Sequence, residues 1–404
     1  MKKGYAMRLF LLLLLFIAPE PHAFGQLVGA AKPEARRLAR IPFRQFSGGV
    51  IVVDAQLAPF SDTLHFILDT GSGGISFDST TCAQLGIASR GTDTTITGLG
   101  GARKVRFAFG RQLRLGNLAL PPLDFHINNY EILSSVYGEK IDGIIGYGFF
   151  SRYIASVNFD SSFIDVFSPG VYRYPKRGYT LTPAFTALPI VHLDIEDRRK
   201  INSTFFFDTG AGLCFLMSEA FAQDSGVLLS KRKPLVSIGE GMSGRLRMKL
   251  TIVKKLRLGK YRFRNVPAFI FDDEFNVTAY PFVSGLLGND LLRRFNLVVN
   301  YPERQIHLLP NSHYREDFDY GYTGMSLYAV DAEIVVDDVI AGSPADKAGL
   351  VPGDRLVGVG NNFSGNLMQY KTQLQQTGQN IPLVISRNGQ LQQHQIRPLN
   401  IKKH

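Results

Sequence analysis

The sequence predicts a mainly β protein built from two similar lobes, followed by a smaller third domain. Short apolar runs rich in Val, Ile, Phe and Leu are separated by Gly, Asn and Asp, which is typical of strands and turns. Long runs with helical periodicity do not occur, which argues against an α/β doubly wound fold. Several motifs recur in the same order at nearly one offset, and the composition changes after Leu309.

The first residues have the features of an export signal. Three basic residues precede an apolar run (residues 9–18) that has the length of a signal h-region and is short for a membrane span. We predict a signal peptide over residues 1–25 and an N-terminal segment over residues 26–40, and therefore a periplasmic or extracellular location. An uncleaved membrane anchor is the alternative. After cleavage we expect no stable membrane span.

Charge and cysteine content exclude some classes of function. The 404 residues carry a formal net charge of +11, but the basic runs are short and lack interleaved aromatic residues, so we expect no nucleic-acid partner. Only two cysteines occur, Cys82 and Cys214, and the sequence leaves open whether they form a disulfide. Spacings such as CxxC and HExxH do not occur, so we expect no metal and no cofactor.

An internal duplication is the most informative feature of the sequence. The first copy contains Asp69-Thr70-Gly71 and the second contains Asp208-Thr209-Gly210, each preceded by three apolar residues. Further matches follow in the same order: residues 113–116 with 256–259, 142–146 with 284–288, and 158–159 with 300–301. The offset is 139 residues for the Asp pair and then 143 and 142 for the next two pairs. A period of this length indicates a duplicated domain and not a solenoid.

Each copy is predicted to consist of strands with one short helix. The predicted strands include residues 49–55, 105–109 and 188–195. The helix of each copy is expected just after the Ile-Ile-Gly or Leu-Leu-Gly motif, over residues 149–153 and 291–295. We predict the first lobe over residues 41–175 and the second over residues 176–310.

The two Asp-Thr-Gly triplets are suited to sharp turns at the ends of buried strands. Glycine permits the unusual φ and ψ angles of such a turn, and threonine offers a hydroxyl that can orient its surroundings. Two such turns meeting at a pseudo-two-fold axis would bring Asp69 and Asp208 together. Because two like charges at close range do not both ionise readily, the pair would share one proton and act as acid and base. Two ordinary β-turns are the alternative, but they leave each buried Asp without a partner.

With these motifs, residues 40–310 resemble the retropepsin-like and pepsin-like aspartic peptidases. The resemblance implies two pseudo-symmetric acid-protease β-barrel lobes, with Asp69 and Asp208 as the catalytic residues. It implies that Thr70 and Thr209 cross-link the two turns, and that the Ile-Ile-Gly and Leu-Leu-Gly motifs pack beneath them. The dyad-supporting positions it implies are Thr70, Gly71, Thr209 and Gly210. The implied activity is hydrolysis of polypeptide substrates by a water activated between the carboxylates, and we expect a monomer.

Glycine-rich hairpins of this family close over the substrate as flaps. The matching positions here are Gly98, Gly100 and Gly101 in the first lobe, and Gly241 and Gly244 in the second. Plain hairpin turns are the alternative. The sequence also departs from the family. No flap tyrosine can be assigned to a defined position, and Ala211 follows the second triplet where Ser72 follows the first. The loss of that hydroxyl is expected to alter the pKa values of the dyad.

The third domain is predicted over residues 321–404, after a polar linker at residues 311–320. The motifs Ser-Pro-Ala (343–345), Ala-Gly-Leu (348–350) and Gly-Asp (353–354) resemble the signature of bacterial PDZ domains. A helix near residues 366–376 would line the peptide groove with Leu367 or Met368. The resemblance assigns capture of protein C termini to Gly324, Met325, Ser326 and Leu327. A PDZ domain that only packs against the peptidase is the alternative.

These features favour an exported aspartic endopeptidase whose PDZ domain binds polypeptide substrate or a partner protein. The alternative is a non-catalytic peptide-binding protein that keeps the peptidase fold, which the loss of one Asp would have favoured. A third interpretation is a basic adaptor in which the PDZ domain is the active part. That adaptor would keep its full function after both Asp residues are replaced.

Overall fold

The computed structural model describes residues 32–98, 101–229, 231–241, 244–278 and 280–404. The predicted signal peptide and residues 26–31 of the predicted N-terminal segment lie outside the described residues. Residues 34–404 belong to one compact unit. Among the helices of the described ranges, none combines the length and apolar character needed to cross a bilayer.

The first lobe is built mainly from short strands. They are β1 (Arg37–Gln45), β2 (Ile51–Leu57), β3 (Leu64–Leu68), β4 (Ile75–Asp78), β5 (Arg90–Gly98), β6 (Gly101–Arg111), β7 (Leu113–Leu115), β8 (Leu118–Ala119), β9 (Leu123–Asn128), β10 (Gly143–Ile145), β11 (Ile154–Asn158) and β12 (Phe163–Phe167). The helices are α1 (Ser79–Gln84), α2 (Glu131–Tyr137) and α3 (Tyr147–Phe150).

The second lobe repeats much of this pattern. Its strands are β13 (Tyr179–Leu181), β14 (Ala184–Phe185), β15 (Pro189–Glu196), β16 (Lys200–Phe207), β17 (Phe215–Ser218), β18 (Leu235–Gly241), β19 (Gly244–Leu258), β20 (Tyr261–Phe271), β21 (Gly285–Leu287), β22 (Phe295–Asn300) and β23 (Gln305–Pro310). Its helices are α4 (Glu219–Ser225) and α5 (Asn289–Leu292).

The C-terminal domain consists of a five-stranded sheet, a small two-stranded sheet and two helices. Its strands are β24 (Gly321–Tyr322), β25 (Met325–Val330), β26 (Glu333–Val339), β27 (Arg355–Val359), β28 (Ile381–Arg387), β29 (Gln390–Ile396) and β30 (Leu399–Asn400). Its helices are α6 (Pro344–Lys347) and α7 (Leu367–Leu374). Strand β25 lies at one edge of the five-stranded sheet, where it pairs with β26.

The pattern of side chains explains why these segments form strands. In β15, Val191, Leu193 and Ile195 are buried whereas His192 faces solvent, which is the alternation of a half-buried strand. Strands β4 and β17 are buried along their whole length, as expected for strands covered on both faces. These two fully buried strands begin a few residues after each Asp-Thr-Gly turn.

The order of the strands places each turn between covered strands. In the first lobe, β10 lies between β3 and β4, parallel to β3 and antiparallel to β4. In the second lobe, β21 lies in the same way between β16 and β17. The Ile-Ile-Gly and Leu-Leu-Gly motifs are therefore directly beside the strands that flank the turns, as the sequence predicts.

Strands from both lobes form one continuous sheet at the base of the molecule. Strand β11 of the first lobe pairs antiparallel with β22 of the second, with Ile154 opposite Asn300, and the order continues as β13-β23-β22-β11-β12-β1. A single apolar core extends through both lobes, while the C-terminal domain has a separate core that includes Val336 and Tyr370. The predicted fold class, two β lobes followed by a PDZ domain, is confirmed.

The helices show where the sequence prediction was incomplete. Helices α3 and α5 lie at the predicted places, each starting two residues before the predicted range. Helix α7 lies within the predicted range 366–376. Helices α1, α2 and α4 were not predicted. Helix α1 has Asp78 as an N-cap whose side chain accepts from Thr81 N–H, and α4 has Ser218 in the same role, so a cap followed by a short helix was the signal available for these two.

The predicted linker, residues 311–320, is held firmly against the second lobe. The guanidinium of Arg294 donates hydrogen bonds to the carbonyls of His313 and Asp317, both at 3.2 Å, and to the carbonyl of Glu316. It also lies over the ring of Phe318 at 4.0 Å from the ring centroid. Arg294 is only 1% exposed, so this segment fixes where the C-terminal domain begins.

Candidate active site

Each Asp-Thr-Gly turn begins where a strand ends beside a fully buried parallel partner, β10 in the first lobe and β21 in the second. Asp69 follows β3 and donates its N–H to the carbonyl of Ile145 at 2.9 Å. Asp208 follows β16 and donates its N–H to the carbonyl of Leu287 at 3.0 Å. The backbone of Asp69 thus pairs with β10 in the same register in which the backbone of Asp208 pairs with β21, so both carboxylates occupy equivalent positions in their lobes. The glycines of the Ile-Ile-Gly and Leu-Leu-Gly motifs also bond to the residues that follow the turns. Gly146 N–H donates to Gly74 O at 3.0 Å, and Gly288 N–H donates to Cys214 O at 3.0 Å.

The threonines of the two turns exchange hydrogen bonds across the lobe boundary. Thr70 N–H donates to Thr209 Oγ1 at 3.1 Å, and Thr209 N–H donates to Thr70 Oγ1 at 3.0 Å. Each hydroxyl then donates to a carbonyl of the opposite lobe, Thr70 to Phe207 at 2.8 Å and Thr209 to Leu68 at 3.2 Å. All these groups are buried, so the exchange satisfies four polar atoms that would otherwise be left without partners. The resemblance implied this cross-link from sequence.

The glycines of the two turns allow each carboxylate to pack against the turn of the opposite lobe. A Cβ atom on Gly71 would lie 2.4 Å from Cγ of Asp208, and a Cβ atom on Gly210 would lie 2.3 Å from Cγ of Asp69. Both distances are far below van der Waals contact. Each carboxylate therefore sits against the backbone of the other lobe's turn, and any side chain at these two positions would push the pair apart.

The hydrogen bonds to the two carboxylates are unequal. Asp69 Oδ1 accepts a backbone bond from Gly71 N–H at 2.6 Å, and a backbone bond from Gly210 also lowers the pKa of Asp69. Asp208 Oδ1 accepts two, from Gly210 N–H at 2.8 Å and from Ala211 N–H at 3.0 Å. Backbone donors stabilise an ionised carboxylate. The side-chain hydrogen bond between the two carboxyl groups raises the pKa of Asp69 and lowers that of Asp208, so the negative charge is better supported on Asp208.

Burial and mutual repulsion determine the protonation of the pair. Asp69 is 9% exposed, and burial followed by the nearby charge of Asp208 raises its pKa well above the ordinary range of an aspartate. Burial also raises the pKa of Asp208, against the lowering effect of hydrogen bonds from Asp69, Gly210 and Ala211. The stronger upward shift of the Asp69 pKa favours a shared proton held on Asp69, with the negative charge on Asp208.

Tyr301 is a polar residue near the pair for which no role was predicted. Its hydroxyl donates to the carbonyl of Thr70 at 3.2 Å, and its ring stacks on Phe150 with centroids 5.3 Å apart. Burial, followed by the charges of the two Asp residues, raises the pKa of Tyr301, so the phenol stays neutral. The repeat offered a signal, because Tyr301 matches Phe159 of the first lobe and only the second lobe carries the hydroxyl.

A cleft of about 730 Å³ lies above the two carboxylates. Its walls are largely apolar and come from both lobes. Residues on the wall of the first lobe include Ile67, Ile75, Ile96, Phe107, Leu133, Tyr137 and Ile144, and those of the second include Phe206, Leu213, Val277 and Leu286. His126 also lines the cleft, beside Gly74. Its position follows from the pairing of β9 with β4, which no local sequence pattern reveals.

The two predicted flap hairpins have different surroundings. Strands β5 and β6 end at Gly98 and Gly101, which face each other, and both strands contribute side chains to the cleft. Strands β18 and β19 end in the same way at Gly241 and Gly244. Within the described ranges the second hairpin supplies no residue to the cleft. Gly100 and the tip of the second hairpin lie outside the described residues, so a flap role for these glycines stays a prediction.

The second hairpin contacts the C-terminal domain instead. Arg245 forms an ion pair with Asp337 and lies over the ring of Tyr328 at 5.3 Å. The hydroxyl of Tyr322 donates to the carbonyl of Val236 at 2.8 Å. The C-terminal domain is thus attached to the part of the second lobe that resembles a flap.

The predicted peptide-binding residues of the C-terminal domain lie together at one end of a groove between β25 and α7. Gly324 directly precedes β25, and its backbone is in the left-handed conformation, with φ +73°. Met325, Ser326 and Leu327 line a pocket of about 220 Å³. The remaining lining residues are Gly321, Thr323, Tyr328, Lys371, Leu374 and Gln375 of the same domain, with Ser47 and Ile238 of the lobes.

The two cysteines are buried free thiols, so the pairing that the sequence left open does not occur in the described structure. Burial raises the pKa of Cys82 to about 11. Cys214 donates its thiol to Asp290 Oδ2 at 2.8 Å, and burial together with that carboxylate raises the pKa of Cys214 well above its usual value. Both groups therefore stay protonated and unreactive near neutral pH.

Comparison with known families agrees with this geometry. Residues 56–149 and 191–291 match the family described as aspartyl protease, and residues 335–387 match the family described as PDZ domain. Among curated proteins, no significant match to the chain was found. The two aspartyl protease segments correspond to the two copies of the repeat, and each contains one Asp-Thr-Gly turn. The chain therefore carries an aspartyl protease domain formed by two lobes, followed by a PDZ domain.

Proposed function

We propose that this protein is an aspartic endopeptidase in which Asp69 and Asp208 hydrolyse peptide bonds of polypeptide substrates. The observation that carries the proposal is the crossing of the two carboxylates, each against the glycine of the opposite turn, at the floor of a cleft that both lobes line. A shared proton on a buried pair supplies an acid and a base in one place.

The two carboxylates have different roles in the proposed reaction. Asp208, supported by two backbone N–H donors, is the base that takes a proton from a water bound between the pair. The water oxygen bonds to the scissile carbonyl carbon while protonated Asp69 donates a hydrogen bond to the carbonyl oxygen. Collapse of the tetrahedral intermediate breaks the C–N bond, and a proton from the dyad passes to the leaving amine.

The apolar walls support a preference for apolar side chains on either side of the cleaved bond. Ile75 and Ile144 of the first lobe and Phe206 and Leu286 of the second line the cleft that contains the Asp pair. Burial of a Leu or Phe side chain of the substrate against them contributes about 1.5–3 kcal/mol. For the location of the enzyme we propose export by the N-terminal segment and action in the periplasm or outside the cell, as its sequence features indicate.

Cleavage of a mixed peptide library between pH 3 and pH 8 tests the proposal. The parent protein is compared with Asp69→Asn and Asp208→Asn, which keep the size and shape of the carboxyl group. We expect both variants to lose activity by about 10³-fold or more, since each removes a group needed in the transition state. Activity of the parent should fall as the pH rises above the raised pKa of Asp69, because the acid is then lost.

The control for this experiment is folding of each variant, measured by circular dichroism and thermal unfolding. Variants that remain folded and still cut as fast as the parent would exclude the dyad. A parent that cuts nothing at any pH would favour the non-catalytic peptide-binding protein, and binding of library peptides in the cleft could then be measured directly.

A further inference from the structure

The groove of the PDZ domain contains a segment of the aspartyl protease domain. A PDZ groove lies between an edge strand and a helix and binds a peptide as an added strand. Here the edge strand is β25 and the helix is α7, and helix α2 of the first lobe packs along β25. We call residues 136–138, at the C-terminal end of α2, the α2 turn.

The α2 turn lies between the two walls of the groove. A Cβ atom on Gly138 would lie 3.3 Å from Cβ of Leu367 on α7 and 3.6 Å from Cβ of Ala329 on β25. Lys371, one turn further along α7, donates its Nζ to the carbonyl of Val136 at 2.7 Å. The main chain of the α2 turn thus accepts a hydrogen bond from the helix and approaches the strand, which places it between the two walls of the groove.

Apolar packing adds to these contacts. Met368 of α7 packs against a cluster of the first lobe that includes Phe46, Tyr130 and Tyr137, together with Leu133. The sequence assigned Leu367 or Met368 to peptide binding. Met368 packs against the first lobe, whereas Leu367 belongs to the buried core of the PDZ domain, with its Cβ next to Gly138. The pocket of about 220 Å³ beside Met325 and Leu374 is the part of the groove that α2 leaves unfilled.

Helix α2 is also a wall of the cleft above the Asp pair. Leu133 and Tyr137 line that cleft, one helical turn apart on α2. The helix is short, seven residues, and it ends at Gly138 in the left-handed conformation. Displacement of its last turn from the PDZ groove would therefore move Tyr137, and with it the wall of the cleft.

We propose that the α2 turn is an internal occupant of the PDZ groove, and that the C terminus of another polypeptide competes with it. The competing ligand has a free carboxylate and an apolar last residue, which suit the backbone before β25 and the pocket formed by Ile238, Met325 and Leu374. Its binding displaces the α2 turn and reshapes the cleft, so the two sites are energetically coupled. The proposal rests on peptide binding by the PDZ domain and not on the proposed hydrolysis.

A reversible cross-link between the α2 turn and β25 tests the competition. The double variant Gly138→Cys, Ala329→Cys places two Cβ atoms about 3.6 Å apart, within the range of disulfides, while the native cysteines are buried. The probes are fluorescein-labelled decapeptides that end in Ala, Leu or Phe with a free carboxylate, and their amidated twins are the control. Binding is measured by fluorescence anisotropy on the full chain.

We expect the reduced double variant to bind the free-carboxylate peptides. The oxidised form of the same variant should bind them with a dissociation constant at least about tenfold higher. The reduced form is the matched control, because both forms contain the same strained residue at position 138. Equal binding by the two forms would overturn the competition. Failure of every form to bind any peptide would overturn it as well.

A second variant and a second readout test the coupling. Met368→Ala loosens the packing of α2 without altering the 220 Å³ pocket, so we expect it to bind the same peptides more tightly than the parent. In the parent, bound peptide should speed hydrogen exchange of the Gly138 amide, which donates to Ser134 O at 2.8 Å. Unchanged exchange in the presence of saturating peptide would refute the coupling, whatever the catalytic activity.

Discussion

Asp69 and Asp208 occupy equivalent positions of the repeat, but their surroundings make them chemically different. The residue after the triplet is Ser72 in the first lobe and Ala211 in the second. Ala211 N–H donates to the side-chain carboxylate of Asp208, whereas Ser72 N–H donates to the backbone carbonyl of Asp69 at 3.4 Å. The repeat alone identified the pair. It could not assign the proton, because that depends on which groups hydrogen-bond each carboxyl and on how deeply each carboxyl is buried.

The raised pKa of Asp69 makes a prediction about stability. In the unfolded chain Asp69 ionises near pH 4, whereas in the folded protein it keeps its proton to higher pH. The folded state then binds the extra proton, so its stabilising contribution is complete below about pH 4 and is lost as the pH rises through the folded pKa. The substitution Asp69→Asn removes this loss.

We therefore expect Asp69→Asn to gain stability over the parent between pH 4 and the folded pKa, by about 1.4 kcal/mol for each pH unit. Urea unfolding at several pH values measures the difference. Asp272→Asn, at an exposed aspartate of the second lobe, is the control and is measured over the same pH series. A pH-independent effect of Asp69→Asn would show that the carboxyl is not held protonated.

At the scale of elements, each Asp-Thr-Gly turn follows the end of a strand. Its threonine exchanges hydrogen bonds with the threonine of the other turn, and its glycine backbone lies against the other turn's carboxylate. The strand ends and triplets were predictable, because three apolar residues followed by Asp-Thr-Gly occur twice. Helix α2 was not predictable in this way. It occurs only in the first lobe, and residues 272–284 at the matching place of the second lobe are turns and irregular segments apart from the undescribed Ala279. A prediction built on repetition misses what the copies do not share.

The close approach at the turns predicts the effect of one added methyl group. Gly71→Ala places a Cβ atom about 2.5 Å from the carboxylate of Asp208, so we expect loss of peptidase activity and a destabilisation of about 1–3 kcal/mol from overpacking. Gly73→Ala is the matched control two residues away, since its Cβ atom would lie 3.9 Å from Cβ of Ala187. Thermal unfolding and cleavage of a library-derived peptide measure both effects. Equal behaviour of the two variants would contradict the close approach.

At the scale of the whole molecule, the order of the domains was predictable and their mutual orientation was not. Compositional change and the PDZ motifs locate the third domain. Its orientation depends on dispersed contacts such as Lys371 with Val136, Tyr322 with Val236, and Arg245 with Asp337. These residues lie far apart in sequence and belong to no motif, so only the folded chain brings them together.

Arg294 gives a test of how firmly the C-terminal domain is held. The substitution Arg294→Met keeps the apolar volume but leaves the carbonyls of His313, Glu316 and Asp317 without this donor. We expect a loss of about 3 kcal/mol in the free energy of unfolding and faster proteolytic cleavage within residues 311–320. Arg315→Met, at an exposed arginine of the same segment, should change neither. Resistance of Arg294→Met to cleavage would show that other contacts suffice.

The exchange of hydrogen bonds between Thr70 and Thr209 has a consequence for biosynthesis. A ribosome releases the first lobe before residue 208 exists, and domains fold in that order as they emerge. The nascent first lobe contains Asp69 and Thr70 but neither Asp208 nor Thr209, with which they pair. The proposed dyad therefore cannot assemble until the second lobe has emerged and β22 has paired with the first lobe. A chain that stops before residue 208 therefore lacks the second carboxylate of the proposed dyad and the threonine that pairs with Thr70.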